Sequence, residues 1–173
     1  MNRRKPGLII ADLFCMLLLI GVDQLTKYAA VARLKYKPAI PIIPSVLELS
    51  YLENRGAAFG MLQNQKILFV FVSLLIVAVI VSLLFRLPPQ KKYTILHVLL
   101  VMIAAGALGN TIDRLRLDYV GDFISFVLIH FPIFNVADIY VTVATCILAI
   151  LLLFYYKEED LNFLAFFNHD SQP

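Results

Sequence analysis

Charged side chains are too scarce in this sequence for an ordinary water-soluble domain. They make up 16% of its 173 residues, against about 25% in a typical globular protein. Glycine and proline number only seven and eight, which excludes a collagen-like or low-complexity chain. Cysteine is limited to Cys15 and Cys146. Each lies in an apolar run without a second Cys or a His at metal-ligand spacing, so each reads as a small hydrophobe packed in a helix. The histidines, His97, His130 and His169, are not at zinc spacing either. There is no Gly-rich phosphate loop, and no Ser or Thr is paired with His or Lys in a recognisable nucleophile arrangement. No metal or cofactor is expected. The net charge is only +3, and the basic residues are scattered at helix ends rather than gathered in a stripe, which argues against nucleic acid as a partner.

What is abundant is apolar. Hydrophobic residues make up 61% of the chain, and they fall into four runs, about 8–30, 67–85, 93–112 and 136–156. A helix rises about 1.5 Å per residue, so roughly 20 residues cross a hydrocarbon core of about 30 Å. All four runs fit. The second, Ile67 to Phe85, is interrupted only by Ser73 and Ser82 and is apolar all round, unlike the surface helix of a soluble protein. The first run resembles a signal peptide in its basic start, Arg3-Arg4-Lys5. Asp12, Asp23 and Lys27 interrupt that pattern, and no small-x-small cleavage signal follows, so it reads as a retained helix. Cys15 follows Phe14 and does not resemble a lipoprotein acylation site. The expected fold is an all-α integral membrane protein of one domain, residues 1–173, with four transmembrane helices.

Four spans put both termini on one side, A, and two long linkers, 31–66 and 113–135, on the other, B. Side A carries seven basic residues, Arg3, Arg4, Lys5, Arg86, Lys91, Lys92 and Lys157. Side B carries eight, Lys27, Arg33, Lys35, Lys37, Arg55, Lys66, Arg114 and Arg116. The positive-inside rule therefore does not decide orientation. In the first B linker, Val46 to Leu52 has β-formers in partial alternation, Glu53-Asn54-Arg55-Gly56 is a turn candidate, and Ala57 to Met61 is a returning strand. A small sheet over about 42–61 is expected at the membrane surface. The second linker, Tyr119 to Phe134, is aromatic and is expected to rest on the interface. The tail, 158–173, reads as an interfacial helix.

Ionisable groups in spanning segments are expensive and read as functional by default. Asp12 and His97 lie near side A and are set aside as surface or packing residues. The rest gather at side B. Asp23 and Lys27 are at i, i+4 and share a helix face. Asn110, Asp113 and Arg114 are at i, i+3, i+4, and Asn135 and Asp138 are at i, i+3. Asn54, Gly56 and Asp122 come from the linkers. Any one of them could belong to a polar collar, and Asp23 with Lys27 or Asp113 with Arg114 could be structural pairs. Together they place carboxylates at one depth. Two close carboxylates cannot easily both ionise, so one keeps a proton. The ionised one can activate water while the protonated one polarises a carbonyl.

Five blocks carry a family resemblance. They are Asp23-Gln24-Leu25-Thr26-Lys27, Glu53-Asn54-Arg55-Gly56-Ala57-Ala58-Phe59-Gly60, Gly106-Ala107-Leu108-Gly109-Asn110-Thr111-Ile112-Asp113-Arg114, Val120-Gly121-Asp122-Phe123, and Phe134-Asn135-Val136-Ala137-Asp138. In this order they resemble the motif blocks of lipoprotein signal peptidase, or signal peptidase II. The resemblance implies a membrane aspartic endopeptidase that cleaves signal peptides from diacylglyceryl-modified bacterial prolipoproteins, just before the lipidated cysteine. It implies Asp122 and Asp138 as the catalytic pair. Asp23, Lys27, Asn54, Gly56, Asn110, Asp113, Arg114, Asn135 and Ala137 would line or support the site, with Asp113 in a structural ion pair. It also implies a bacterial cytoplasmic (inner) membrane location, cytoplasmic termini, an extracytoplasmic site and sheet, and a monomer whose partners are prolipoprotein and membrane lipid. From the residues, Asp138 at a helix start is expected to be ionised, and Asp122 in its aromatic linker protonated. A proton-coupled membrane transporter is the alternative, and it requires polar residues running through the bilayer. A structural membrane subunit would show no mutual register among them.

Overall fold

The computed structural model describes residues 6–56 and 61–164. Four long helices dominate: α1 (Pro6–Leu34), α2 (Lys66–Arg86), α3 (Thr94–Leu117) and α4 (Val136–Phe154). Each is long and apolar enough to cross a membrane. Large apolar side chains face outward along them, among them Phe14, Leu17, Leu25, Ile67 and Phe154. In lipid that exposure carries no hydrophobic penalty. Cys15 and Cys146 are also exposed on this surface, not packed inside as expected.

The helix ends follow local chemistry. α2 ends at Arg86, before Pro88 and Pro89. α3 runs past its apolar stretch to Leu117 and stops where Asp118 turns left-handed at φ 66°. α4 opens with a reciprocal cap, in which Asn135 accepts the Asp138 N–H and Asp138 accepts the Asn135 N–H.

Helix α3 is the central post. It packs against all three other helices, and eleven of its residues are buried against two in α2. Small residues allow the closest approach: Gly106, Ala104 and Ala105 are buried, as is Ala137 on α4. At the end where α3 begins and α4 finishes, Tyr93 stacks on Tyr156, and the Tyr156 hydroxyl donates to the Lys92 carbonyl at 2.9 Å. The short 3-10 helix Glu158–Leu164 folds against this end, tied by Lys92 to Asp160. The expected tail helix is thus a brief 3-10 segment there; residues 165–173 lie outside the described ones.

At the other end lies an antiparallel three-stranded sheet in the order β1 (Ile40–Ile43), β2 (Leu47–Asn54), β3 (Val120–Phe126). The expected sheet is present, but its third strand comes from the second linker. The stretch 57–60, expected to return as a strand, falls outside the described residues, and Met61 lies in a turn. Asp122 faces Leu52 and Val120 faces Asn54 in the β2–β3 register. Beyond β3 the chain loops back, and Phe134 bridges Ile124 with hydrogen bonds of 2.9 and 3.0 Å in the two directions. That closure delivers Asn135, the cap of α4, beside the strand that carries Asp122.

The buried apolar residues form two clusters. Met16, Ile80, Leu84, Leu100 and neighbours fill the end where Tyr93 meets Tyr156. Ala30, Leu34 and Phe123 form the second under the sheet. Asp23 and Lys27 lie between them along α1.

Candidate active site

The polar residues between the two clusters form one hydrogen-bonded network. Asp23 is fully buried, and Lys27 is 5% exposed. The Lys27 ammonium pairs with Asp23 Oδ2 at 2.9 Å and with Asp113 Oδ2 at 2.8 Å. It also donates to Asn110 Oδ1 at 2.8 Å. The expected Asp23–Lys27 pair is present. Asp113, however, pairs with Lys27 across helices and not with its sequence neighbour Arg114. Successive helical residues point about 100° apart, which separates Asp113 from Arg114 and turns Asp113 toward α1.

The two carboxylates reach onward through backbone groups. Asp23 Oδ1 accepts the Ala137 N–H at 3.0 Å. Asp113 Oδ2 accepts the Gly121 N–H at 3.4 Å. Ala137 and Gly121 are the residues immediately before Asp138 and Asp122. Gly109 makes the Asp23 approach possible, since a Cβ there would lie 2.6 Å from Asp23 Oδ2.

Asp122 and Asp138 line the same cleft, of about 590 Å³. Asn135 donates to Asp122 Oδ1 at 2.6 Å and to Asn110 Oδ1 at 3.2 Å. Asn110 in turn donates to Asp138 Oδ1 at 2.7 Å. Asn54 donates to Asp122 Oδ2 at 2.9 Å, and its own oxygen accepts the Gly56 N–H at 3.0 Å. Arg114 reaches the Gly56 carbonyl at 3.3 Å and lies 4.7 Å from the centre of the Phe69 ring. All eleven residues expected at the site are therefore at or directly behind this cleft.

Burial pushes the Asp122 carboxyl from its ordinary 3.8 up to about 6. The Asn54 hydrogen bond opposes the shift, the Asp138 charge adds to it, and Asn135 and Lys27 oppose it. Asp138 occupies the first turn of α4, where the helix dipole favours negative charge. The rest of the cleft wall is apolar, with Phe69, Phe126, Ile129, Phe131, Ile139 and Val143. Among the described residues, no three of His, Cys, Asp and Glu are grouped to hold a metal ion.

Two contributors were not expected. Gln24 donates to Asp113 Oδ1 at 2.9 Å and also reaches Asp23 Oδ2 at 3.2 Å and the Gly109 carbonyl at 3.3 Å. Its place between Asp23 and Lys27 in the first block was the available signal. Phe69 had none, being one apolar residue among many in α2. Asp12 and His97, set aside as surface or packing residues, approach each other at 3.5 Å and are 14% and 7% exposed. They lie in the other half of the bundle.

Comparison with known proteins bears on this arrangement. A family model for signal peptidase (SPase) II matches residues 15–154. A lipoprotein signal peptidase of Streptococcus thermophilus is 42% identical over 157 residues, covering 91% of this chain and 97% of that protein. One from Clostridioides difficile is 44% identical over 140 residues, covering 81% and 93%. A bacterial membrane enzyme solved by the in meso method at 2.3 Å superposes with a TM-score of 0.74 at 29% identity, covering 88% of this chain and 92% of that one. A second, solved at 1.9 Å, has a TM-score of 0.73 at 29% identity, covering 90% and 99%.

Proposed function

This chain belongs to the signal peptidase II family, and on that premise we propose that it is an aspartic endopeptidase whose Asp122 and Asp138 activate water. Membership makes it a protease of bacterial lipoprotein processing, spanning the membrane four times. The finer reading is cleavage of a diacylglyceryl-modified prolipoprotein just before its lipidated cysteine. The observation that carries it is the convergence of two aspartates from different elements, a strand and a helix start, on one cleft whose other walls are apolar.

The chemistry follows from the differing surroundings of the two groups. Asp138, held by its own helix cap and by Asn110, is the ionised partner and removes a proton from water. Asp122 is the protonated partner and hydrogen-bonds the scissile carbonyl. Water attacks the carbonyl carbon and gives a tetrahedral intermediate. The proton gained by Asp138 then passes to the leaving amine as the C–N bond breaks. Asp122 ends protonated and Asp138 ionised, ready for the next turn. The dyad titrates as a coupled pair, so this division describes its dominant proton arrangement. Loss of the shared proton should switch activity off at high pH. Protonation of both should do so at low pH.

The apolar walls suit an acyl chain and a signal helix that arrive sideways from lipid. We read the sheet end as extracytoplasmic and both termini as cytoplasmic, with the chain working as a monomer. We read the chain, 1–173, as a single domain serving this site. The transporter alternative required polar residues along the whole bilayer path. α2 carries no charge between Lys66 and Arg86, so that span offers no charged path across the bilayer.

The test is cleavage of a diacylated prolipoprotein peptide by purified protein in lipid. Asp122→Asn and Asp138→Asn should each lose about 10³-fold or more in rate. Full activity in Asp122→Asn would remove the dyad and reopen the case for Asp113.

A further inference from the structure

The geometry points to Lys27 as a positioning residue that holds both aspartates of the proposed dyad at once, through three separate branches. This deepens the reading above and rests on it. The ammonium has three hydrogens, and the structure supplies three acceptors: Asp23 at 2.9 Å, Asp113 at 2.8 Å and Asn110 at 2.8 Å. Each acceptor is one further hydrogen bond from a dyad aspartate or from the residue before it. Asp23 grips the N–H of Ala137, the residue before Asp138. Asp113 grips the N–H of Gly121, the residue before Asp122. Asn110 grips the Asp138 carboxylate itself. The strand bearing one aspartate and the helix bearing the other are thereby referenced to a single atom on a third element, α1.

The chemistry of the group suits the task. A lysine ammonium is a compact charge with rotatable donors, whereas a guanidinium is a flat fork. Here the acceptors come from α1 itself and from two positions on α3, in a site where the Lys27 side chain is 6% exposed. The charges also need one another. Asp23 and Asp113 are buried beside a single cation, and two negative charges against one positive leave the cluster net negative. Gln24 offsets part of this by donating to both carboxylates. Lys27 does not line the cleft, so it acts through its partners and not on substrate.

Arrangement of the dyad to within about 1 Å is worth roughly 10²-fold in rate, which sets the expected effect. Removing Lys27 alone strands two buried carboxylates and risks the fold. The main variant is therefore Lys27→Met/Asp23→Asn, which removes one charge of each sign and leaves the net charge of the cluster unchanged. Lys27→Met and Lys27→Arg accompany it. The groups facing Asp122 are Asn54 on β2, Asp138 on α4 with its cap Asn135, Arg114 on α3 and Lys27 on α1.

All variants would be assayed for cleavage of the diacylated peptide in lipid, with kcat, KM and the pH–rate profile measured separately. The double variant should elute as folded protein, lose about 10²-fold in kcat and change KM by less than about threefold. Wherever Lys27→Met is folded, its profile should move to higher pH, because a cation that favours ionised Asp122 has gone. Lys27→Arg should restore the position of the profile but not kcat. A folded double variant with wild-type kcat would overturn the inference, as would equal losses in kcat and binding with an unmoved profile. Wild-type activity in Asp122→Asn would instead remove the dyad itself, and this inference with it.

Discussion

Adding one methyl group at Gly106 tests whether the contact between α3 and α4 sets the site. A Cβ there would lie 2.5 Å from the Ala137 carbonyl oxygen and 2.7 Å from Val141 Cγ2. Ordinary contact begins at 3.4 Å, so the oxygen has to retreat by roughly 0.9 Å or more. That oxygen is backbone in the first turn of α4, so no rotamer change relieves the clash. The turn has to move, and Asp138 is the next residue along it. Overpacking of this kind costs about 1–3 kcal/mol of stability. A displacement of the proposed dyad approaching 1 Å costs about 10²-fold in rate. Gly106→Ala should therefore lower kcat by 10- to 100-fold on the order of magnitude set by that displacement, with a lower unfolding midpoint in detergent. Gly21→Ala is the matched control, because its Cβ meets nothing within 4 Å. It should keep wild-type kcat and gain up to about 1 kcal/mol from the better helix former. Wild-type kcat in Gly106→Ala, or equal damage in Gly21→Ala, would show that this contact does not set the site.

Asp122 also makes stability depend on pH. Its carboxyl rises to about 6 in the folded protein against 3.8 ordinarily, so the folded state holds that proton more tightly. The contribution is fully present below about pH 4 and is lost as pH rises through about 6, amounting to roughly 2–3 kcal/mol. Unfolding midpoints of wild type measured against Asp122→Asn across that window should show the difference. Asn135 is fully buried and bonded to Asp122, Asn110 and Asp138; Asn135→Ala should cost about 2–4 kcal/mol by chemical unfolding. The exposed Lys66–Asp118 pair at 2.6 Å should matter little, and Lys66→Ala should stay within about 1 kcal/mol of wild type.

The four spans were legible because bilayer thickness dictates helix length, and a run such as Ile67 to Phe85 has no other use for its composition. The ends were less so. α3 was expected to stop near 112 but continues to Leu117, because Asp113 and Arg114 find partners and need not leave the helix. β3 was missed altogether. Val120 to Phe123 are all buried, so the strand lacks the polar–apolar alternation by which strands are read. The expected site residues lie at the cleft or directly behind it, yet their pairing was only half visible. Asp23 with Lys27 follows from i, i+4 spacing. Asp113 with Lys27 joins two helices, and spacing along one helix cannot reveal it. The closure of Phe134 onto Ile124 joins residues of the same linker through a hydrogen-bond register that its aromatic composition conceals.

The bond from Asp23 to the Ala137 N–H links positions 114 apart in the chain, and it has a consequence for biosynthesis. Synthesis runs from the N-terminus, so α1 is made before α4 exists. During that wait Asp23 and Lys27 have each other, an i, i+4 pair that enters the bilayer as a neutral unit. Asp113 joins them when α3 arrives. Ala137 arrives last, with the helix that brings Asp138. A chain halted before its fourth span therefore lacks the Ala137 N–H that Asp23 accepts, and with it Asp138, the second aspartate of the proposed dyad.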